Sequence, residues 1–94
     1  MKKFLDISEF VTTSTEQSIA EDLVKRFKQR RKENKITQRE LSVRSGISYA
    51  SIRRFETTGD ISLSSLISIA HAIKCLDDFS KLFNTPVVKN LKDY

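Results

Sequence analysis

The chain has 94 residues, 38% of them hydrophobic and 31% charged, with 17 Lys and Arg against 12 Asp and Glu. That length allows one small domain and leaves no room for a wide cofactor crevice beside a substrate domain, and two Gly and one Pro are too few for the turns of an all-β chain. A lone cysteine, Cys75, excludes an internal disulfide, and without a Cys or His cluster neither a structural metal nor a cofactor is expected.

An all-α domain is therefore the default, and the chain divides into an N-terminal arm (1–14), a domain (15–84) and a C-terminal tail (85–94). In the arm, Phe4, Leu5, Ile7, Phe10 and Val11 leave one apolar side, expected to cover the domain or a second subunit. Its start meets Asp6 too soon for a signal peptide, so a cytoplasmic location is expected. Ser14-Thr15-Glu16-Gln17 offers a cap, and Ile19, Ala20, Leu23, Val24 and Phe27 then recur at helical spacing, predicting a first helix over about 15–34 that exposes Lys25, Lys28, Arg30 and Lys32.

Thr37-Gln38-Arg39-Glu40 is a sharper signal, because Thr at the N-cap with Glu three residues on satisfies two orphan amides reciprocally. The second helix begins there, turns Leu41 inward and ends near Ser45, where Gly46 supplies a left-handed residue without a Cβ penalty. Ile47 enters the core, and Ser48 caps a third helix from Tyr49 to about Thr57 with Ile52 and Phe55 inward. Thr58-Gly59-Asp60-Ile61 breaks the pattern. Ser62 caps a fourth helix striped by Leu63, Leu66, Ile67, Ala70 and Ile73, and this longest uncharged stretch is too short and serine-rich to cross a bilayer. A fifth helix is predicted through Leu76, Phe79, Leu82 and Phe83, with Asp77 and Asp78 in its first turn and Pro86 as its stop. Val87-Val88-Lys89-Asn90-Leu91 reads equally as a short edge strand or a frayed end.

Charge is unevenly spread. From Lys25 to Arg54 eleven positives face only Glu33 and Glu40, a surplus of +9, while the remainder carries −4. Such a patch suits a polyanion, since each neutralised phosphate releases condensed counterions. Two short helices across a glycine turn, 37–57, form a helix-turn-helix arrangement whose second helix enters the DNA major groove. At about 100° per residue, Ala50, Arg53, Arg54 and Thr57 lie opposite Ile52 and Phe55, and Tyr49 stands at the helix start. Arginine makes bidentate contacts to guanine, and Arg54 is the first choice for that role.

Arg31-Lys32-Glu33-Asn34-Lys35-Ile36-Thr37-Gln38-Arg39-Glu40-Leu41-Ser42, then Ser45-Gly46-Ile47-Ser48, Ile52, Phe55-Glu56 and Ile69-Ala70 with Ile73, resemble the phage lambda repressor and Cro-like helix-turn-helix regulators, the XRE family, over roughly Phe27 to Phe83. The resemblance implies a compact five-helix DNA-binding domain. It implies that Gln38 donates to a phosphate and braces the recognition helix, that Ser48, Tyr49, Ala50 and Arg54 face the groove, and that Ser51 and Arg53 lie near the backbone. Arg31 and Glu56 match a pair that forms an internal salt bridge in the family. Three departures stand out: Ser42 replaces an alanine, Lys74 occupies the usual glycine after the fourth helix and implies a strained or altered turn, and the Thr57–Asp60 loop is short. That loop and Cys75-Leu76-Asp77-Asp78-Phe79 look like the HipB-like antitoxins, partners of HipA-like kinases.

Catalysis has little to stand on. No Ser-His-Asp or Cys-His arrangement and no glycine-rich phosphate loop is present, and Asp77-Asp78 point about 100° apart on a helix. His71 reads as structural or surface and Cys75 as a small buried filler. The expected function is a non-enzymatic repressor binding a palindromic operator as a homodimer, with double-stranded DNA as partner and no membrane. The alternative is an antitoxin or adaptor that holds a toxin kinase and autoregulates its operon. RNA is disfavoured, because no aromatic stacking platform is present.

Overall fold

A computed structural model of the chain describes residues 14–86; the apolar arm expected before residue 14 and the edge strand or frayed end expected from residue 87 lie outside the described residues. Five helices follow one another: α1 (Glu16–Glu33), α2 (Gln38–Ser45), α3 (Tyr49–Thr58), α4 (Leu63–Ala72) and α5 (Leu76–Ser80). The all-α, five-helix expectation is met, and no strand occurs among the described residues.

Local chemistry sets the helix starts. Thr15 opens α1 with a capping box in which its hydroxyl accepts from the Ser18 amide at 3.0 Å and the Ser18 hydroxyl accepts from the Thr15 amide at 3.0 Å. Ser48 and Ser62 cap α3 and α4 in the same sense, accepting from the amides of Ser51 and Ser65 at 3.1 Å each.

The core is compact around α2, which packs on both α3 and α4, while α1 packs on α3 and α5 on α4. Leu41, Ile52, Ile69 and Ile73 are fully buried, joined by Phe27, Ile36, Phe55, Ala70 and Cys75. Phe27 and Phe55 meet edge to face, ring centroids 5.2 Å apart at 78°, and so fix the back of α3 against α1. Asn34, at the end of α1, donates to the carbonyls of Arg30 (2.8 Å) and Ile73 (3.3 Å), tying the ends of α1 and α4 together.

The ends of α1 and α4 close in turns of the same kind. The amides of Lys35 and Ile36 return to the carbonyls of Lys32 and Arg31, and those of Lys74 and Cys75 to His71 and Ala70, the paired bonds of a Schellman closure. That closure needs a left-handed residue, here Lys35 at φ 58° and Lys74 at φ 64°. Lys74 thus bears the strain anticipated at the family's glycine position. Lys74→Gly relieves a left-handed Cβ and loosens the unfolded chain, and the first effect wins. The expected gain is about 0.5–1 kcal/mol, read as a higher urea midpoint at unchanged slope.

Three expectations need correction. The fifth helix does not run to Pro86 but ends at Ser80: the Ser80 hydroxyl donates to the Asp77 carbonyl at 2.8 Å, the Leu82 and Asn84 amides return to carbonyls only three residues back, and Phe83 takes φ 62°. Phe83 is consequently 94% exposed instead of continuing an apolar stripe. Ile19 and Leu63, assigned to core-facing stripes, are also exposed, because each sits in the first turn of its helix beyond the reach of the neighbouring elements. Lys28, expected on the exposed side of α1, is half-buried.

Candidate nucleic-acid interface

The α2–turn–α3 unit is built from short-range bonds. The Glu40 amide donates to the Thr37 hydroxyl at 3.0 Å, and the Thr37 amide donates to the Glu40 carboxylate at 2.9 Å. The Thr37 amide, then its hydroxyl, hold the Glu40 carboxyl below its ordinary range, with desolvation opposing them and the charge of Arg44 adding a smaller share in the same direction as the two bonds. A depressed carboxyl contributes stability that is present above its unfolded value and lost as pH falls through the folded one. Glu40→Gln should therefore flatten the acid limb of a pH–stability curve below about pH 4.5, and denaturant titrations across that range check it.

Gly46 ends α2 at φ 78°, its amide donating to the Ser42 carbonyl at 2.9 Å. The Ser42 hydroxyl, standing where the family carries alanine, donates to the Ile47 carbonyl at 2.7 Å and closes the turn from inside. Ser48 then spends its hydroxyl locally, accepting from the Ser51 amide and donating to the Ser51 hydroxyl at 2.9 Å.

Behind the unit lies a buried charge network. Arg31 grips Glu56 with two parallel bonds, Nε to Oε2 at 2.8 Å and Nη2 to Oε1 at 2.9 Å, and spends Nη1 on the Ile36 carbonyl at 2.9 Å. Gln38 Nε2 donates to the same Glu56 Oε1 at 2.9 Å. With side-chain exposures of 9% and 3%, the pair is shielded from water, and each guanidinium nitrogen and both carboxylate oxygens have a partner, as a buried pair requires. One carboxylate on α3 is thus held from α1 and from the first turn of α2. Gln38 braces α3 in this way, and its second amide hydrogen remains for another acceptor.

The opposite side of α3 is open. Ala50, Arg53, Arg54 and Thr57 are exposed, Tyr49 and Ser51 half-buried, and Ile52, Phe55 and Glu56 face inward. The two arginines differ in their surroundings. Arg54 Nη2 lies 2.7 Å from Asp60 Oδ2, both side chains largely exposed. The Arg53 guanidinium lies 5.7 Å from the Tyr49 ring centre, and Arg39 of α2 stacks on the same ring at 4.2 Å. Arg39 is not among the residues that the sequence assigns to the DNA-facing side. Its position second in α2 brings it to the first turn of α3, and that adjacency across a helix-turn-helix was the available signal.

A second concavity is formed by α1, α4 and α5 without any residue of α2 or α3. Leu23, Phe27, Leu66, Ala70, Phe79 and Leu82 line its apolar part, a cleft of about 340 Å³. Cys75 lies at its edge, with Arg30 Nη1 donating to its sulfur at 3.0 Å. Burial nevertheless pushes the thiol up, the nearby Asp78 charge adds to that, and Arg30 opposes it. Cys75 is a buried neutral filler. Among the described residues no group of three or more His, Cys, Asp and Glu side chains is placed to hold a metal ion, and no helix is long and apolar enough to cross a membrane.

An α2 whose first turn grips the carboxylate of α3, with α3 offering its other side to solvent, defines a helix-turn-helix DNA-binding domain. The helix-turn-helix family model matches residues 27–78, more than half of the chain, and the chain belongs to that XRE-like family of DNA-binding transcription regulators. No curated protein and no solved structure matches it.

Proposed function

We propose that the protein is a repressor that binds a palindromic operator as a homodimer, each α3 lying in the major groove, at the nucleoid in the cytoplasm. The observation that carries this reading is the uncovered face of α3, where Ala50, Arg53 and Arg54 are exposed on a helix whose other side is buried. Arg54 reads a guanine edge; Tyr49 and Ala50 contact neighbouring bases, and Ser48, its hydroxyl engaged in the cap, contributes only shape. Ser51 and Arg53 lie along the backbone, and the free amide hydrogen of Gln38 donates to a phosphate beside the N-terminus of α2. A single short helix contacts few base pairs, and two related by a twofold, about 34 Å apart, supply the specificity one lacks.

Selection of bound sequences from a random duplex pool tests this. The expected product is an inverted repeat with half-sites roughly 10 bp apart, centre to centre. On that duplex Arg54→Ala should lose roughly 5- to 150-fold in discrimination against a random one, measured by fluorescence anisotropy. Equal losses on both duplexes would remove Arg54 from base reading.

A second reading, an antitoxin that holds a HipA-like kinase and autoregulates its operon, draws on a different observation. Leu82 lines the apolar cleft of α1, α4 and α5, which holds no residue of α3, and Phe83, next in the chain, is 94% exposed. Co-purification with a kinase encoded by a neighbouring gene supports it; self-association with no kinase captured overturns it.

A further inference from the structure

We infer that Asp60 is a positioning residue for Arg54, tying its guanidinium down so that the arginine discriminates between base edges instead of gripping any phosphate. This rests on the reading of α3 as the groove-entering helix.

The contact is held by the turn that follows α3. Gly59 adopts φ 84° and returns its amide to the Phe55 carbonyl at 2.8 Å, which ends the helix and turns the chain back. The Thr58 hydroxyl then makes two bonds at once, donating to the Arg54 carbonyl at 2.7 Å and accepting from the Asp60 amide at 3.1 Å. Residues 54 and 60 are linked through one hydroxyl at the backbone and through the 2.7 Å ion pair at the side chains. Both side chains also line a small cleft with Ser51, Ser62 and Ser65 between α3 and the start of α4.

An ion pair as exposed as this one contributes little to folding. A carboxylate at the edge of a surface that approaches phosphates is moreover unfavourable for every duplex, since it repels the backbone and competes for a cation. Both costs fall on random DNA. At the right base they are offset: arginine carries five donors in a rigid fork, and Asp60 occupies one nitrogen while leaving the others to face a base. A side chain already held loses less freedom when it docks. Loose arginine favours any phosphate; tethered arginine favours the site that completes its fork.

Asp60→Asn on the full chain tests the assignment. Affinity for a random duplex should rise and its salt dependence steepen by about one in log–log slope. The ratio of selected-site to random-duplex affinity should fall roughly tenfold. In an Arg54→Ala background the same substitution should change both affinities equally and leave the ratio unmoved, which simple repulsion by Asp60 would not predict to differ from its effect beside Arg54. Asp60→Ser, which keeps the backbone amide bond to Thr58, provides a second variant if Asn perturbs the turn. Equal changes on both duplexes with Arg54 present would overturn the inference. A wild-type chain with no sequence preference would instead overturn the reading of α3, and this inference with it.

Discussion

Arg31→Ala is expected to destabilise the fold by about 3–5 kcal/mol, a large share of what a domain of this size possesses. The magnitude follows from what remains. Glu56 stays buried with its charge, deprived of two of the three donors it accepts, and the Ile36 carbonyl loses its partner as well. At about 4–8 °C per kcal/mol for a domain under 100 residues, the melting temperature should fall by more than about 10 °C. Removing both charges is milder than removing one. Arg31→Met with Glu56→Leu should recover much of the loss, because desolvating the pair is then no longer required. The check is thermal melting of the single and double variants, and an unchanged melt for Arg31→Ala would show that the pair does not hold the fold.

The same network has a consequence for binding. Glu56 belongs to α3, while its donors come from α1 and α2, so releasing it frees the pitch of α3 as well as the fold. Arg31 makes no exposed contact, yet its removal should weaken duplex binding through the placement of Arg53 and Arg54. Stabilising the variant with an osmolyte at low temperature separates the two effects: residual weakness in a folded population reports orientation.

Much of this architecture is written in short-range signals. Thr37 with Glu40, Ser48, Ser62 and Gly46 are legible because a cap is a chemical requirement within four residues, satisfied without reference to the rest of the chain. The inward residues of α3 are legible for a related reason: Ile52 and Phe55 have no alternative face on so short a helix. What could not be read depends on partners distant in sequence. Ile36 is buried between elements in a loop, where no periodicity exists to mark it. Leu82 and Phe83 fit a helical stripe, but a five-residue helix without a side-chain cap has too few backbone bonds to carry the pattern onward. At the candidate interface, outwardness of Arg53 and Arg54 follows from period alone, whereas their different neighbours, Tyr49 for one and Asp60 for the other, are set by how α3 meets α2 and the following turn.

Phe55→Ala is the second substitution expected to act strongly, by about 3–5 kcal/mol. Phe55 is 1% exposed and presents its ring edge to face with Phe27, so truncation leaves a cavity between α3 and α1 that neither helix can fill without shifting. The same residue's carbonyl receives the Gly59 amide that ends α3. Collapse of α3 toward the cavity would therefore carry the turn, and with it Asp60, out of register with Arg54. Phe55→Leu keeps most of the volume and should cost only about 1–1.5 kcal/mol. Melting curves give the stability difference. Anisotropy at low temperature gives the more informative one, since exposed Lys25, Arg26 and Lys32 would still attract a random duplex while the selected site would lose its preference. A Phe55→Ala protein that melts within a few degrees of the parent would mean that Phe27 and Phe55 do not fix α3, and its orientation would then rest on the bonds that Arg31 and Gln38 make to Glu56.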